Sequence, residues 1–151
     1  MTAYLFSRGP AGDHAAPGDH LGIGGTHKQN MGRLFFFNGN QRGQVVSGAQ
    51  PVSVGSWNHV VFVRAGKRVT AYLNGASAPA FDSEADVTAA GANTFFVGAR
   101  CDQFAPLDGQ IAEFALFDRA LNAAEDCDDG NTIGRDGCDE SCRNESGWLC
   151  G

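Results

Sequence analysis

Trp57-Asn58-His59-Val60-Val61-Phe62-Val63-Arg64, then Ala65-Gly66-Lys67, then Arg68-Val69-Thr70-Ala71-Tyr72-Leu73-Asn74-Gly75 is the stretch that decides the fold. Val60 and Phe62 alternate with Val61 and Val63, so the first segment is apolar on both faces of a strand. In the second, Val69, Ala71 and Leu73 alternate with Arg68, Thr70 and Tyr72, which predicts a half-exposed strand beside a central first one. The Gly-containing break between them makes a hairpin, and Asn74-Gly75 ends it with the residue pair that best tolerates a left-handed turn.

Outward from this hairpin, further strands are predicted at Tyr4–Ser7, Leu21–Gly24, Arg33–Phe37, Gln44–Val46, Thr94–Gly98 and Gln110–Phe117. In the last, Ile111, Glu113, Ala115 and Phe117 alternate with Ala112, Phe114 and Leu116. Only Arg119–Glu125 reads as helical, and only for a turn or two. Twenty-one glycines and 11 phenylalanines among 151 residues fit strands joined by tight turns. The expectation is an all-β, two-sheet antiparallel sandwich, with Trp57 and Phe35-Phe36-Phe37 in its core.

Charge divides the chain near Asn122–Ala124. Up to that point nine acids balance nine bases, whereas Glu125, Asp126, Asp128, Asp129, Asp136, Asp139, Glu140 and Glu145 face only Arg135 and Arg143. The whole net charge of −6 therefore sits in the tail. No basic stripe follows a phosphate backbone, which excludes a nucleic-acid role. No apolar run reaches the ~18 residues of a membrane span, and Met1–Pro10 lacks the pattern of a leader. Export would therefore depend on a signal carried by a longer parent chain.

Cysteine divides at the same place: Cys127, Cys138, Cys142 and Cys150 lie in the tail, and Cys101 before it. So short a segment lacks the apolar residues to fold without cross-links or a metal, and an oxidising, extracellular or cell-surface setting is expected. The spacing lacks the paired short-gap knuckles that suit zinc, so disulfides are the expected state. Three pairings are open. Cys127–Cys142 with Cys138–Cys150 is favoured, because direct Cys138–Cys142 closure makes a tight ring. Cys101 is either free or paired with a cysteine upstream.

Five ordered motifs carry a resemblance: Trp57 to Val63, Val69 to Gly75, Phe96-Val97-Gly98, Gly109-Gln110-Ile111-Ala112-Glu113-Phe114, and Phe117-Asp118-Arg119-Ala120-Leu121-Asn122 with Glu125. Together they resemble the laminin-G-like, concanavalin A-like jelly roll. The resemblance implies two stacked antiparallel sheets over residues 1–125, recognition on the concave face or rim loops, and one or two strands preceding Tyr4. The tail, residues 126–151, carries Cys127-Asp128-Asp129-Gly130-Asn131 and Asp136-Gly137-Cys138 with Cys142. It is similar to the disulfide-rich repeat of bacterial surface proteins and to a unit in the pappalysins. That similarity implies a short, loop-dominated, disulfide-clamped unit and further domains of a multidomain extracellular parent.

Candidate sites follow from residue type. Arg100, Asp102 and Phe104, in the loop before Gly109-Gln110-Ile111, form a ligand rim, since planar hydrogen bonders beside an aromatic suit sugar or peptide. Asp128, Asp129, Asn131 and Asp136 are hard oxygen donors on a Gly-containing turn, a candidate calcium set, although Asp and Asn also simply form turns. A second cation position would use Asp102 or Asp108. Gly12-Asp13-His14 and Gly18-Asp19-His20 make a near repeat, expected to be an exposed turn-rich loop.

Catalysis is not expected. A retaining glycosidase needs two carboxylates about 5 Å apart, yet Ala115 and Phe117 stand where a partner for Glu113 would be needed. No His-Glu-x-x-His, Gly-x-Ser-x-Gly or phosphate-binding glycine motif occurs. The expected function is a non-catalytic extracellular recognition module for carbohydrate or for cell-surface and matrix ligands. The alternatives are protein adhesion, a structural spacer, or an inactive relative of glycoside hydrolases.

Overall fold

The structure is a computed structural model, and it describes residues 2–13, 15–16, 18–25, 29–39, 45–85 and 94–117. The chain divides into two compact units, Met1–Glu113 and Phe114–Gly151. The first holds eight strands: β1 (Ala3–Gly9), β2 (Asp19–Ile23), β3 (Arg33–Phe37), β4 (Val45–Pro51), β5 (Val60–Ala65), β6 (Arg68–Leu73), β7 (Phe81–Glu84) and β8 (Thr94–Val97). They form a five-stranded antiparallel sheet in the order β4-β3-β2-β1-β8 and a three-stranded one in the order β5-β6-β7. No helix occurs among the described residues, none of which could cross a membrane as a helix.

The two sheets pack face to face. Leu21, Leu34 and Phe36 of the larger sheet meet Val69, Ala71, Leu73 and Phe81 of the smaller, all buried. Phe36 stacks on Phe62 across the interface at 5.3 Å between centroids. Each of the Leu, Val and Phe side chains contributes roughly 1.5–3 kcal/mol by leaving water. Phe35-Phe36-Phe37 is the two-faced strand expected: Phe36 points into the core while Phe35 packs edge-on against Tyr4 on the opposite face.

A bulge between Tyr4 and Phe6 reassigns faces along β1. Tyr4 pairs with Gly22 and Ser7 with His20, so these four lie on the outer face, whereas Phe6 and Arg8 turn inward beside Leu21 and Asp19. Gly22 is required there. A Cβ at this position would sit 2.5 Å from the Ala3 carbonyl and 2.7 Å from the Phe35 ring.

The hairpin has the expected turn, with φ of 55° at Asn74 and 69° at Gly75. Its strands exchange the places expected of them. β6 is central, pairing with β5 and β7, and Val69, Thr70, Ala71 and Leu73 are all buried. β5 pairs with β6 alone among the described residues, and Val61 is exposed. The physical reason is β7, which pairs along the other edge of β6 and whose Asp82 accepts bonds from Arg68 and Thr70; of the polar face of β6 only Thr70 is buried, while Arg68 stays exposed. Trp57 is likewise not core: it is 69% exposed, on the loop before β5. Gln110–Phe117 does not form a strand. Those residues are exposed and irregular, and Glu113 adopts a left-handed φ of 54° that interrupts any extended run.

Asp19 and His20 are also not in an exposed loop. They open β2 and are buried. The Asp19 carboxylate accepts from Arg8 and, across the two sheets, from Arg64, each at 2.5 Å, and from the Asn38 amide at 3.2 Å. Burying a carboxylate requires this compensation.

Candidate functional site

The loop after β8 lies along the outer face of the five-stranded sheet. Backbone bonds pin it there: Gly98 N–H donates to the Leu5 carbonyl at 2.9 Å, Tyr4 N–H to Ala105 at 3.1 Å, and Gly12 N–H to Cys101 at 2.8 Å. Leu107 N–H closes the base on the Gly98 carbonyl at 2.8 Å. The Cys101 N–H donates to the Ser7 hydroxyl oxygen at 3.0 Å, and that hydroxyl lies 2.7 Å from His20 Nδ1. Ser7 and His20 are both fully buried, and the pair anchors the loop through the Cys101 N–H.

Arg100, Asp102 and Phe104, the three residues assigned to the rim from sequence, come together. Arg100 donates through Nε and Nη2 to the two carboxylate oxygens of Asp102 at 2.8 and 2.7 Å. Its guanidinium carbon lies 4.5 Å from the Phe104 ring centre and 5.4 Å from that of Tyr4, whose hydroxyl is 3.4 Å from Nη1. Asp102 also accepts the Phe104 N–H at 3.2 Å. The bond to Asp102 holds the Arg100 guanidinium above its ordinary pKa, with burial opposing. Burial first of all pushes the Cys101 thiol up, and Cys101 is free.

Exposure separates the roles within this cluster. The side chains of Arg100 and Asp102 are only 12% and 18% exposed, whereas Phe104 is 55% exposed. One face of the Phe104 ring therefore rests on the guanidinium and the rest meets solvent. Gln103 and Ala105, its two neighbours, have left-handed φ of 63° and 49°. A non-glycine residue there costs about 1 kcal/mol, and clustered strain of this kind occurs at functional sites. Sequence reasoning missed Tyr4 and Ser7. They lie more than ninety positions from the loop, and no local pattern links them to it.

Of the two carboxylates named for a cation position, Asp102 has both oxygens bonded to Arg100 and Asp108 is exposed. Among the described residues no group of three or more His, Cys, Asp or Glu is placed to hold a metal. The calcium set Asp128, Asp129, Asn131 and Asp136, and the cysteines Cys127, Cys138, Cys142 and Cys150, lie outside the described residues, as does the helix at Arg119–Glu125.

A two-sheet antiparallel sandwich is the architecture of proteins of the concanavalin type. Residues 2–125 match the laminin-G-type family model described as the concanavalin A-like lectin/glucanases superfamily, and the chain belongs to that family. No curated protein and no solved structure matches the chain.

Proposed function

We propose that this protein is a non-catalytic extracellular recognition module that binds carbohydrate through the rim loop carrying Phe104. The observation that carries this reading is a half-exposed aromatic ring clamped on its other face by a guanidinium and flanked by two strained residues. A ring fixed in advance loses little conformational entropy on binding, and its free face suits the C–H patch of a pyranose. Membership of a superfamily that includes lectins supports the same reading. In this reading Ser7 and His20 are architectural, and the tail, with its proposed disulfides and calcium set, is a spacer toward further domains.

Protein adhesion has one observation in its favour. The Ser53–Asn58 loop, tied by the Asn58 side chain to Ser53 and Ser56, presents Val54 and Trp57 to solvent. Exposed aromatic and aliphatic pairs on rigid loops act as interface anchors. A glycan array probed with wild type and Phe104→Ala separates the two. Carbohydrate recognition predicts hits that vanish in the variant; a blank array with wild type, or hits unchanged in Phe104→Ala, contradicts it.

A further inference from the structure

We infer that the Phe104 rim selects uncharged glycans and discriminates against sulfated and sialylated ones. This rests on the reading of the rim as a carbohydrate site and adds the chemical class of its ligand.

The loop Gly98–Gly109 contains one cation, Arg100, and two acids, Asp102 and Asp108. An anionic sugar would need that guanidinium, since charged donors in a planar fork are what recognise sulfate and carboxylate. It is already committed. Nε and Nη2 form the bidentate pair with Asp102, Nη1 faces the Tyr4 hydroxyl, and the side chain is 12% exposed. To take an anion it would have to release an internal carboxylate of the same charge, exchanging one bidentate pair for another. Asp108 remains exposed on the loop and leaves its net charge at −1, which repels an incoming anion.

A cationic ligand is disfavoured by the same arrangement. The quadrupole of the Phe104 ring already holds a guanidinium 4.5 Å from its centre, and a second cation on the opposite face would be repelled by the first. What the free face accepts is an uncharged apolar patch, held by dispersion and by exclusion of water. The axial C–H face of a neutral hexose is such a patch.

The test uses the full chain with two probes, a neutral β-glucan hexasaccharide and a heparin hexasaccharide, by calorimetry at about 0.05 and 0.5 M salt, a range over which screening removes most surface electrostatics. The expected result is binding of the neutral probe that changes less than about twofold with salt, no heparin binding, and loss of the neutral probe in Phe104→Ala. Asp102→Asn, which frees the guanidinium, should gain heparin binding that weakens with salt. Wild-type heparin binding that falls with salt and is lost in Phe104→Ala overturns the inference while leaving the rim reading intact. Neutral binding unaffected by Phe104→Ala, or no binding of either probe, overturns the rim reading and the inference with it. A folded Asp102→Asn, checked by circular dichroism, that gains no heparin binding overturns the role given to Asp102. The wild-type comparison decides the matter if that variant does not fold.

Discussion

Replacing Asp19 with alanine tests the inter-sheet node directly. The carboxylate, 3% exposed, satisfies Arg8, Arg64 and the Asn38 amide at once, and Arg64 reaches it from the opposite sheet. Removing one partner from a buried ionic cluster costs about 3–5 kcal/mol, because the remaining charge stays desolvated. Here Arg8 is 27% and Arg64 13% exposed, so both regain some water, and the lower end, about 3 kcal/mol, applies. For a domain of this size that corresponds to a fall in Tm of roughly 10–15 °C. Urea unfolding followed by circular dichroism measures it, with Arg64→Met as the companion. That variant should lose less, because Asp19 keeps Arg8 and the replacement is a similar length of apolar chain. A loss below about 1 kcal/mol for Asp19→Ala would refute the idea that this node holds the sheets together.

Ser7→Ala removes the acceptor of the Cys101 N–H and the partner of His20 Nδ1, and should cost about 1–3 kcal/mol in urea unfolding, with little change if the anchoring account is mistaken. Gly22→Ala drives a Cβ against the Ala3 carbonyl and Phe35 ring and should destabilise by about 1–3 kcal/mol on the same assay. The raised pKa of Cys101 gives stability that is full below the ordinary thiol value of 9.0 and is lost as pH rises through the folded value. Melting temperatures should therefore decline in the alkaline range by more in wild type than in Cys101→Ala, and native Cys101 should resist alkylation at neutral pH. Asp82 has its pKa lowered chiefly by the Arg68 hydrogen bond, so its contribution is present above 3.8 and disappears as pH falls through the depressed value. The stability difference between wild type and Asp82→Asn should close over that acid range.

Much of the sandwich was legible because side-chain alternation along a strand reports directly on burial. β3, β5, β6 and β8 stand close to where alternating and two-faced apolar runs put them, and Asn74-Gly75 turns where that pair should. Burial by neighbours was not legible. β6 carries Arg68, Thr70 and Tyr72 on its second face; Arg68 is exposed as its type suggests, but Thr70 is buried beside Asp82 of β7, and the pairing with β7 that makes β6 central leaves no mark in its own alternation. β7 itself, Phe81-Asp82-Ser83-Glu84, has one apolar residue and shows no period. Gln110–Phe117 shows the opposite failure, since it alternates as a strand would yet has no ladder among the described residues. Asp19 and His20 look like loop residues by type, and only their partners on β1 and β5, together with Asn38 just past β3, explain their burial.

The rim was legible in part. Arg, Asp and Phe within five residues point to recognition by type alone, and the fold does bring Arg100, Asp102 and Phe104 into contact. Their division of labour was not readable. The sequence leaves Arg100 as available as Phe104, whereas the structure places its guanidinium between two rings and against Asp102. Tyr4 supplies one of those rings from the first strand, a contact that depends on the β1 bulge.

The most direct measurement of the recognition role is a titration of the isotope-labelled protein with a neutral oligosaccharide, followed by amide chemical shifts in two-dimensional NMR. The account predicts saturable shifts concentrated at Gly98–Leu107 and at Tyr4, with the amides of Ser53–Asn58 unmoved. Shifts centred on Ser53–Asn58, or no saturable shifts at millimolar ligand, would contradict it.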